Sequence, residues 1–194
     1  MIQKCSARIK SALALLAISS AAFAGQSPLP FDLGGNYTLT DQNGELRTQA
    51  DPEDKLQLLF FGYANCLQIC SAALPLMGDI VREVETLGTS IQPIMITVDP
   101  ARDTPESIGA PLAEYHPDFI GLTGSDDALQ VAYDAFSVEK EEIFFDPEYG
   151  PVFSHGSFIY LLDAQGGLLT LIPPILDTDT ATKIVTKYIT ERKS

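Results

Sequence analysis

Two cysteines, Cys66 and Cys70, stand four positions apart in Cys66-Leu67-Gln68-Ile69-Cys70, directly after a continuous apolar run and directly before an amphipathic one. That setting predicts a strand-to-helix junction at the pair. In a helical segment both thiols lie on one face near the positive end of the helix dipole, which favours the thiolate. Positions i and i+4 of a helix are roughly 6 Å apart at Cα, within disulfide range, so Cys66-Cys70 has two states, an open dithiolate and a closed bridge. A bridge across so short a loop removes little unfolded-state entropy, which makes stability alone a poor reason for it. Two soft thiolates select Cu(I), zinc or an iron–sulfur cluster over calcium or magnesium. A third ligand has to come from elsewhere in the chain.

The sequence offers His116, His155, Met77 and Met95 for that role. Met77 and Met95 fall in apolar patterns and read as core. His116, before Pro117 at a helix end, reads as a structural or surface histidine. His155, in Phe153-Ser154-His155-Gly156-Ser157, is open between ligand and structural histidine on position alone. A Cys₂His₂ zinc site is disfavoured, because the two histidines are 39 positions apart and lack finger spacing. Asp99 and Asp103 flank Arg102. An ion pair plus a helix cap accounts for this triplet, the cap assigned to Asp103. Asp99, at a strand end, could also face the cysteines and steady the ligands from behind. Peroxidases of thioredoxin-like proteins carry Thr where this chain has Tyr63, which argues against that chemistry.

The elements that must position these residues follow from periodicity. Short strand-like pieces at 31–33 and 37–39, with a turn at 41–44, predict a small β-element at the start. Residues 56–61 and 91–98 read as strands buried on both faces. Between them, Ala73, Leu74, Met77, Ile80, Val81 and Val84 recur at helical spacing, predicting a helix over about 67–87 with a kink at Pro75. Thr104-Pro105-Glu106 starts a second helix running to about 115, with Pro111 inside it. A strand at 119–122 precedes a helix capped by Ser125, and 139–149 reads as an acidic loop. A hairpin follows, 158–162 and 168–172 around a turn at 163–167, then an amphipathic helix at 178–192 with Ile184, Val185, Tyr188 and Ile189 on one face. This order describes an α/β thioredoxin-like fold, a mixed central β-sheet flanked by helices.

At the N-terminus, Lys4, Arg8 and Lys10 precede an apolar run at 12–22 and the small-residue site Ala22-Phe23-Ala24. These features predict a signal peptide over 1–24, cleaved after Ala24, leaving one domain over 25–194. The apolar run is well short of the roughly 20 residues that span a bilayer, so no stable membrane insertion is expected. Cys5 precedes that run and is removed with it, and the site of action is a periplasm, which oxidises exposed thiol pairs. The whole chain carries a net charge of −14, and loss of three basic residues with the leader takes it to −17. A chain this acidic does not bind nucleic acid through a broad basic surface.

Taken together, Phe60-Phe61-Gly62-Tyr63 ahead of C-x₃-C, Thr97-Val98-Asp99-Pro100-Ala101-Arg102-Asp103-Thr104-Pro105, Phe119-Ile120-Gly121-Leu122-Thr123-Gly124, and Ser154-His155 before Ile159-Tyr160-Leu161-Leu162-Asp163 resemble the SCO/SenC family of copper-binding thioredoxin-like proteins. The resemblance implies copper, as Cu(I) or Cu(II), with Cys66, Cys70 and His155 matching the family's three ligands. It also implies copper delivery to the Cu_A site of cytochrome c oxidase, with a copper donor or acceptor protein, such as the Cu_A-bearing oxidase subunit, as partner. The family usually has Pro and Asp after the first cysteine, Pro after the second and Asp before the histidine, where this chain has Leu67, Gln68, Ser71 and Ser154. The competing expectation is a periplasmic thiol–disulfide oxidoreductase that uses the same cysteine pair without metal.

Overall fold

The computed structural model describes residues 33–51, 53–64 and 72–192. The predicted leader, Phe31 with Asp32, and both Cys66 and Cys70 lie outside these residues. The chain opens with β1 (Thr38–Asp41) and β2 (Leu46–Thr48), an antiparallel hairpin turning at Gly44. There Asp41 Oδ1 accepts the amides of Asn43 and Glu45 at 2.8 and 3.0 Å. Next come β3 (Leu56–Gly62), α1 (Ala73–Thr86) and β4 (Ile91–Thr97). Every residue of β3 and of β4 is buried, as the continuous apolar runs required of strands covered on both faces. After α2 (Pro105–Ala113), β5 (Ile120–Thr123) and α3 (Asp126–Ala135), the chain forms β6 (Glu141–Asp146), β7 (Gly150–Ser154), β8 (Ile159–Leu162), β9 (Leu168–Ile172) and α4 (Thr178–Arg192).

Seven strands form one mixed sheet in the order β2-β1-β5-β4-β3-β8-β9, with β3, β4 and β5 parallel and the outer strands antiparallel. The thioredoxin-like α/β arrangement expected from the element order is the one found. Phe61, near the C-terminal end of β3, packs its ring against Tyr133, Phe136 and Tyr160 at centroid distances of 6.0, 5.4 and 5.8 Å. Phe60 points to the opposite face, as alternation along a strand demands. Met77 and Met95 are fully buried, the core role read for them. Among the described residues no helix is long and apolar enough to cross a membrane.

Three local expectations are corrected. The described part of the first helix begins at Ala73, so Pro75 stands in its first turn. A proline there removes an amide that has no intrahelical acceptor, and no kink is required. The stretch 139–149 is not an acidic loop, because most of it is strand β6 and the turn to β7, a separate two-stranded sheet. Its turn is fixed by Asp146 Oδ1, which accepts the amides of Glu148 and Tyr149 at 2.8 and 3.0 Å, and by Gly150 at φ +80°. Finally, α2 is started by Thr104, whose amide donates to Ser107 Oγ at 2.9 Å, and not by Asp103.

Candidate metal centre

The C-terminal ends of β3 and β4 form a hydrogen-bonded knot next to the cysteine segment. The Val98 amide continues the parallel ladder to the Gly62 carbonyl at 2.7 Å. Two residues beyond β3, the Ala64 amide donates to Asp103 Oδ2 at 2.9 Å, and Thr97 Oγ1 donates to the same oxygen at 2.7 Å. Thr97 Oγ1 in turn accepts the Asp99 amide at 2.8 Å. Ala64 is two residues before Cys66, so Asp103 fixes the backbone from which the cysteine segment departs. Its carboxylate is 1% exposed, and Oδ1 is buried with no hydrogen-bond partner among the described residues. Burial pushes the Asp103 carboxyl above the ordinary aspartate range, against the pull of its bonds from Thr97 and Ala64.

Asp99 is also buried, and its carboxylate pairs with Arg102 Nε. The ion pair read from the sequence is therefore present, although with a use the sequence did not announce. The same guanidinium donates to the carbonyls of Tyr149 and Pro151, the latter at 3.0 Å, and lies over the Tyr63 ring at 5.4 Å.

His155 follows β7 directly. Its Nδ1 lies 2.9 Å from the Gly156 carbonyl. A carbonyl only accepts, so this bond assigns the proton to Nδ1 and leaves the lone pair of a neutral ring on Nε2, the arrangement of a metal-ligating histidine. Where the related motif has a carboxylate before the histidine and this chain has Ser154, a backbone carbonyl orients the ring. Phe60 and Tyr63 meet the imidazole edge-on at 5.7 and 6.1 Å. Gly62 matters here, because a Cβ at that position would lie 2.6 Å from Phe60 Cε1. The missing side chain leaves room for the Phe60 ring to lie along the strand.

His155 lines a cavity of about 320 Å³ together with Phe60, Phe144, Phe153, Ala72 and Ala73. Ala72 is where the described chain resumes after the cysteine segment, two residues past Cys70. Both flanks of that segment thus border the histidine's surroundings: Ala72 in the cavity wall, and Tyr63 against the ring.

His116 belongs elsewhere. It is 5% exposed, its Nδ1 accepts the Asp118 amide at 3.2 Å, and its Nε2 faces Glu85 at 3.5 Å. Ligand atoms of Glu85, His116 and Asp118 lie within 4.8 Å of one another. With Nδ1 already accepting, however, the neutral ring carries its one N–H proton on Nε2, toward Glu85, where a metal would need a lone pair. His116 is the structural histidine expected, though buried rather than on the surface.

Residues 25–190 match the SCO1/SenC family. The chain belongs to that family. It is 38% identical over 140 residues to an SCO2-like protein of Rickettsia conorii, covering 71% of this chain and 67% of that one. Among solved structures it resembles copper-bound ScoI of Arabidopsis thaliana (TM-score 0.76, 26% identity, 82% of this chain and 99% of that chain). It also resembles copper-bound yeast Sco1 (TM-score 0.73, 28% identity, 82% and 89%). Copper is thus bound by SCO1/SenC relatives that share this fold.

The residues of this SCO1/SenC chain suit such a cargo. The sequence supplies two thiols, the structure supplies an imidazole with its lone pair on Nε2 and Nδ1 committed, and the rings of Phe60 and Tyr63 pack against that imidazole. A soft sulfur pair with one imidazole is a donor set that copper accepts. The sequence did not reveal Asp103 as the residue holding the Ala64 amide, or Arg102 as the residue reaching the β6–β7 hairpin. Their partners lie 39 to 49 positions away along the chain, beyond any local pattern.

Proposed function

We propose that this chain, exported and cleaved after Ala24, is a periplasmic copper-handling protein that binds one copper ion through Cys66, Cys70 and His155. It passes the metal toward the Cu_A site of cytochrome c oxidase, with the Cu_A-bearing subunit or an intermediate carrier as acceptor. The observation that carries the reading is the setting of His155: a ring with Nδ1 committed to the Gly156 carbonyl, in a cavity whose wall includes Ala72, the first described residue after the cysteine segment. Family membership and copper-bound relatives supply the metal.

Reduced Cys66 and Cys70 supply the soft donors, and His155 completes the set. Oxidation of the metal-free dithiol by a two-electron oxidant, such as oxygen or a partner disulfide, releases two protons, joins the sulfurs and leaves no thiolate, so copper affinity is tied to redox state. The test is Cu(I) and Cu(II) titration of the reduced protein beside the metal-free reduction potential of the Cys66–Cys70 pair. Cys66→Ser and Cys70→Ser should each abolish tight binding, and the air-oxidised protein should bind poorly. His155→Ala should lower affinity by about 100-fold or more, exceeding the 10–100-fold typical of residues behind the ligands, while moving the potential little. Unchanged copper binding in His155→Ala with a strongly shifted potential would replace this reading with thiol–disulfide exchange.

A further inference from the structure

Among the described residues the hairpin β6–β7 pairs with no strand of the main sheet, and every residue of β6 up to Phe145 is exposed. An isolated two-stranded ribbon is marginal in water, yet β7 runs straight into His155 and so sets where the imidazole stands. Something outside the ribbon has to hold it.

We infer that Arg102 is the positioning residue for His155, clamping the turn of the hairpin to the end of β4. The guanidinium uses its fork in three directions: Nε to the buried Asp99 carboxylate, Nη1 to the Tyr149 carbonyl and Nη2 to the Pro151 carbonyl at 3.0 Å. Its plane also lies over Tyr63, whose ring meets both Phe153 and His155 edge-on at 6.0 and 6.1 Å. The two carbonyls flank Gly150, where φ is +80° and an added Cβ would lie 2.9 Å from Arg102 Nη1. A side chain there would displace the clamp. Asp99 is itself fixed, because its amide donates to Thr97 Oγ1 and its carbonyl accepts the amides of Arg102 and Asp103 at 3.1 and 2.9 Å. The arginine therefore connects the hairpin to a rigid turn. Lysine cannot substitute, since one ammonium on a flexible stem does not reproduce three planar, divergent donors.

The inference rests on the copper reading only for its metal readout, and two measurements keep the two apart. In the first, amide hydrogen exchange is followed in the metal-free, reduced protein. Arg102→Lys, which keeps a cation beside Asp99, should speed exchange at Val152, Phe153 and Ser154 by about tenfold or more, the scale of one or two lost charge-assisted bonds, and leave β3 and β4 unchanged. Gly150→Ala should reproduce the effect from the other side of the contact. In the second, copper affinity is measured for Arg102→Lys, His155→Ala and the double variant. Arg102→Lys should weaken binding by roughly tenfold in the presence of His155 and have no further effect in its absence, as required of a residue acting through that imidazole. The metal-free potential of the cysteine pair should not move. Unaltered hairpin exchange in both Arg102→Lys and Gly150→Ala overturns the inference whatever copper does, as does an Arg102→Lys effect on copper that persists undiminished in His155→Ala. If His155→Ala alone leaves copper binding intact, the metal reading fails, and the exchange experiment still decides whether Arg102 holds the hairpin.

Discussion

Asp103 offers the sharpest test of how the end of β3 is built, because one carboxylate oxygen carries two buried donors. Asp103→Ala strands the Ala64 amide and the Thr97 hydroxyl, at about 1–3 kcal/mol for each unsatisfied buried group. The hydroxyl can rotate, which puts it at the lower end, and removal of a poorly solvated carboxylate offsets part of the loss. The expected net destabilisation is about 2–3 kcal/mol. Asp103→Asn keeps an acceptor for both donors, places its amide nitrogen where Oδ1 has no partner among the described residues, and removes the buried charge. It should fall within about 1 kcal/mol of the unaltered protein at neutral pH. The pH dependence separates the two effects. Burial raises the Asp103 carboxyl above its unfolded value, so the folded state binds the proton more tightly. Its contribution is fully present below about pH 4, the ordinary aspartate value, and is lost as pH rises through the folded value. Asp103→Asn lacks this loss and should gain on the unaltered protein between about pH 4 and neutrality. Urea unfolding of the reduced, metal-free protein at several pH values measures all three. If Asp103→Ala proves harmless, or Asp103→Asn costs as much as Asp103→Ala, the shared-acceptor account is wrong.

Two further outcomes are expected. Gly78→Ala should destabilise by about 1–3 kcal/mol, because its Cβ would sit 2.6 Å from the Tyr115 carbonyl oxygen, against which α1 packs; a neutral effect in urea unfolding would mean that this contact relaxes freely. Intact mass of the exported protein should correspond to a chain starting at Gly25, whereas a retained Met1 or recovery only with membranes would contradict cleavage after Ala24.

The parts legible in the sequence are those with local periodicity. β3 and β4 are parallel and covered on both faces, so burial imposed continuous apolar runs, and Ser125 announced α3 through its own bond to the Ala128 amide at 3.3 Å. The β6–β7 hairpin was hidden for a physical reason. Its register shifts between Glu142 and Phe144, and a bulge breaks the alternation of period two by which a half-buried strand is read. Carboxylates at Glu139, Glu141, Glu142, Asp146 and Glu148 strengthened the loop reading further. The candidate site divides along the same line. The cysteine spacing and the doubtful status of His155 were readable residue by residue, and the resemblance assigned them a metal. Asp103 was misread as a cap because Thr104-Pro105 beside it carries the real start signal of α2, and nothing local points to an amide in another strand.

Arg102 and Asp103 are neighbours in sequence with divergent duties, and the turn they share explains how. From Asp99 the backbone winds once, its carbonyl accepting the amides of both Arg102 and Asp103. In such a turn successive side chains diverge by about 100°. Arg102 is thereby aimed at the hairpin that leads into His155, and Asp103 at the Ala64 amide that leads into the cysteine segment. One rigid turn at the end of β4 therefore fixes both approaches to the proposed copper site relative to each other. Two ligand-bearing segments separated by about ninety positions in the chain gain a common reference without touching through the main sheet. A substitution that loosens the turn itself should disturb both approaches at once, whereas Arg102→Lys and Asp103→Ala should each disturb only its own.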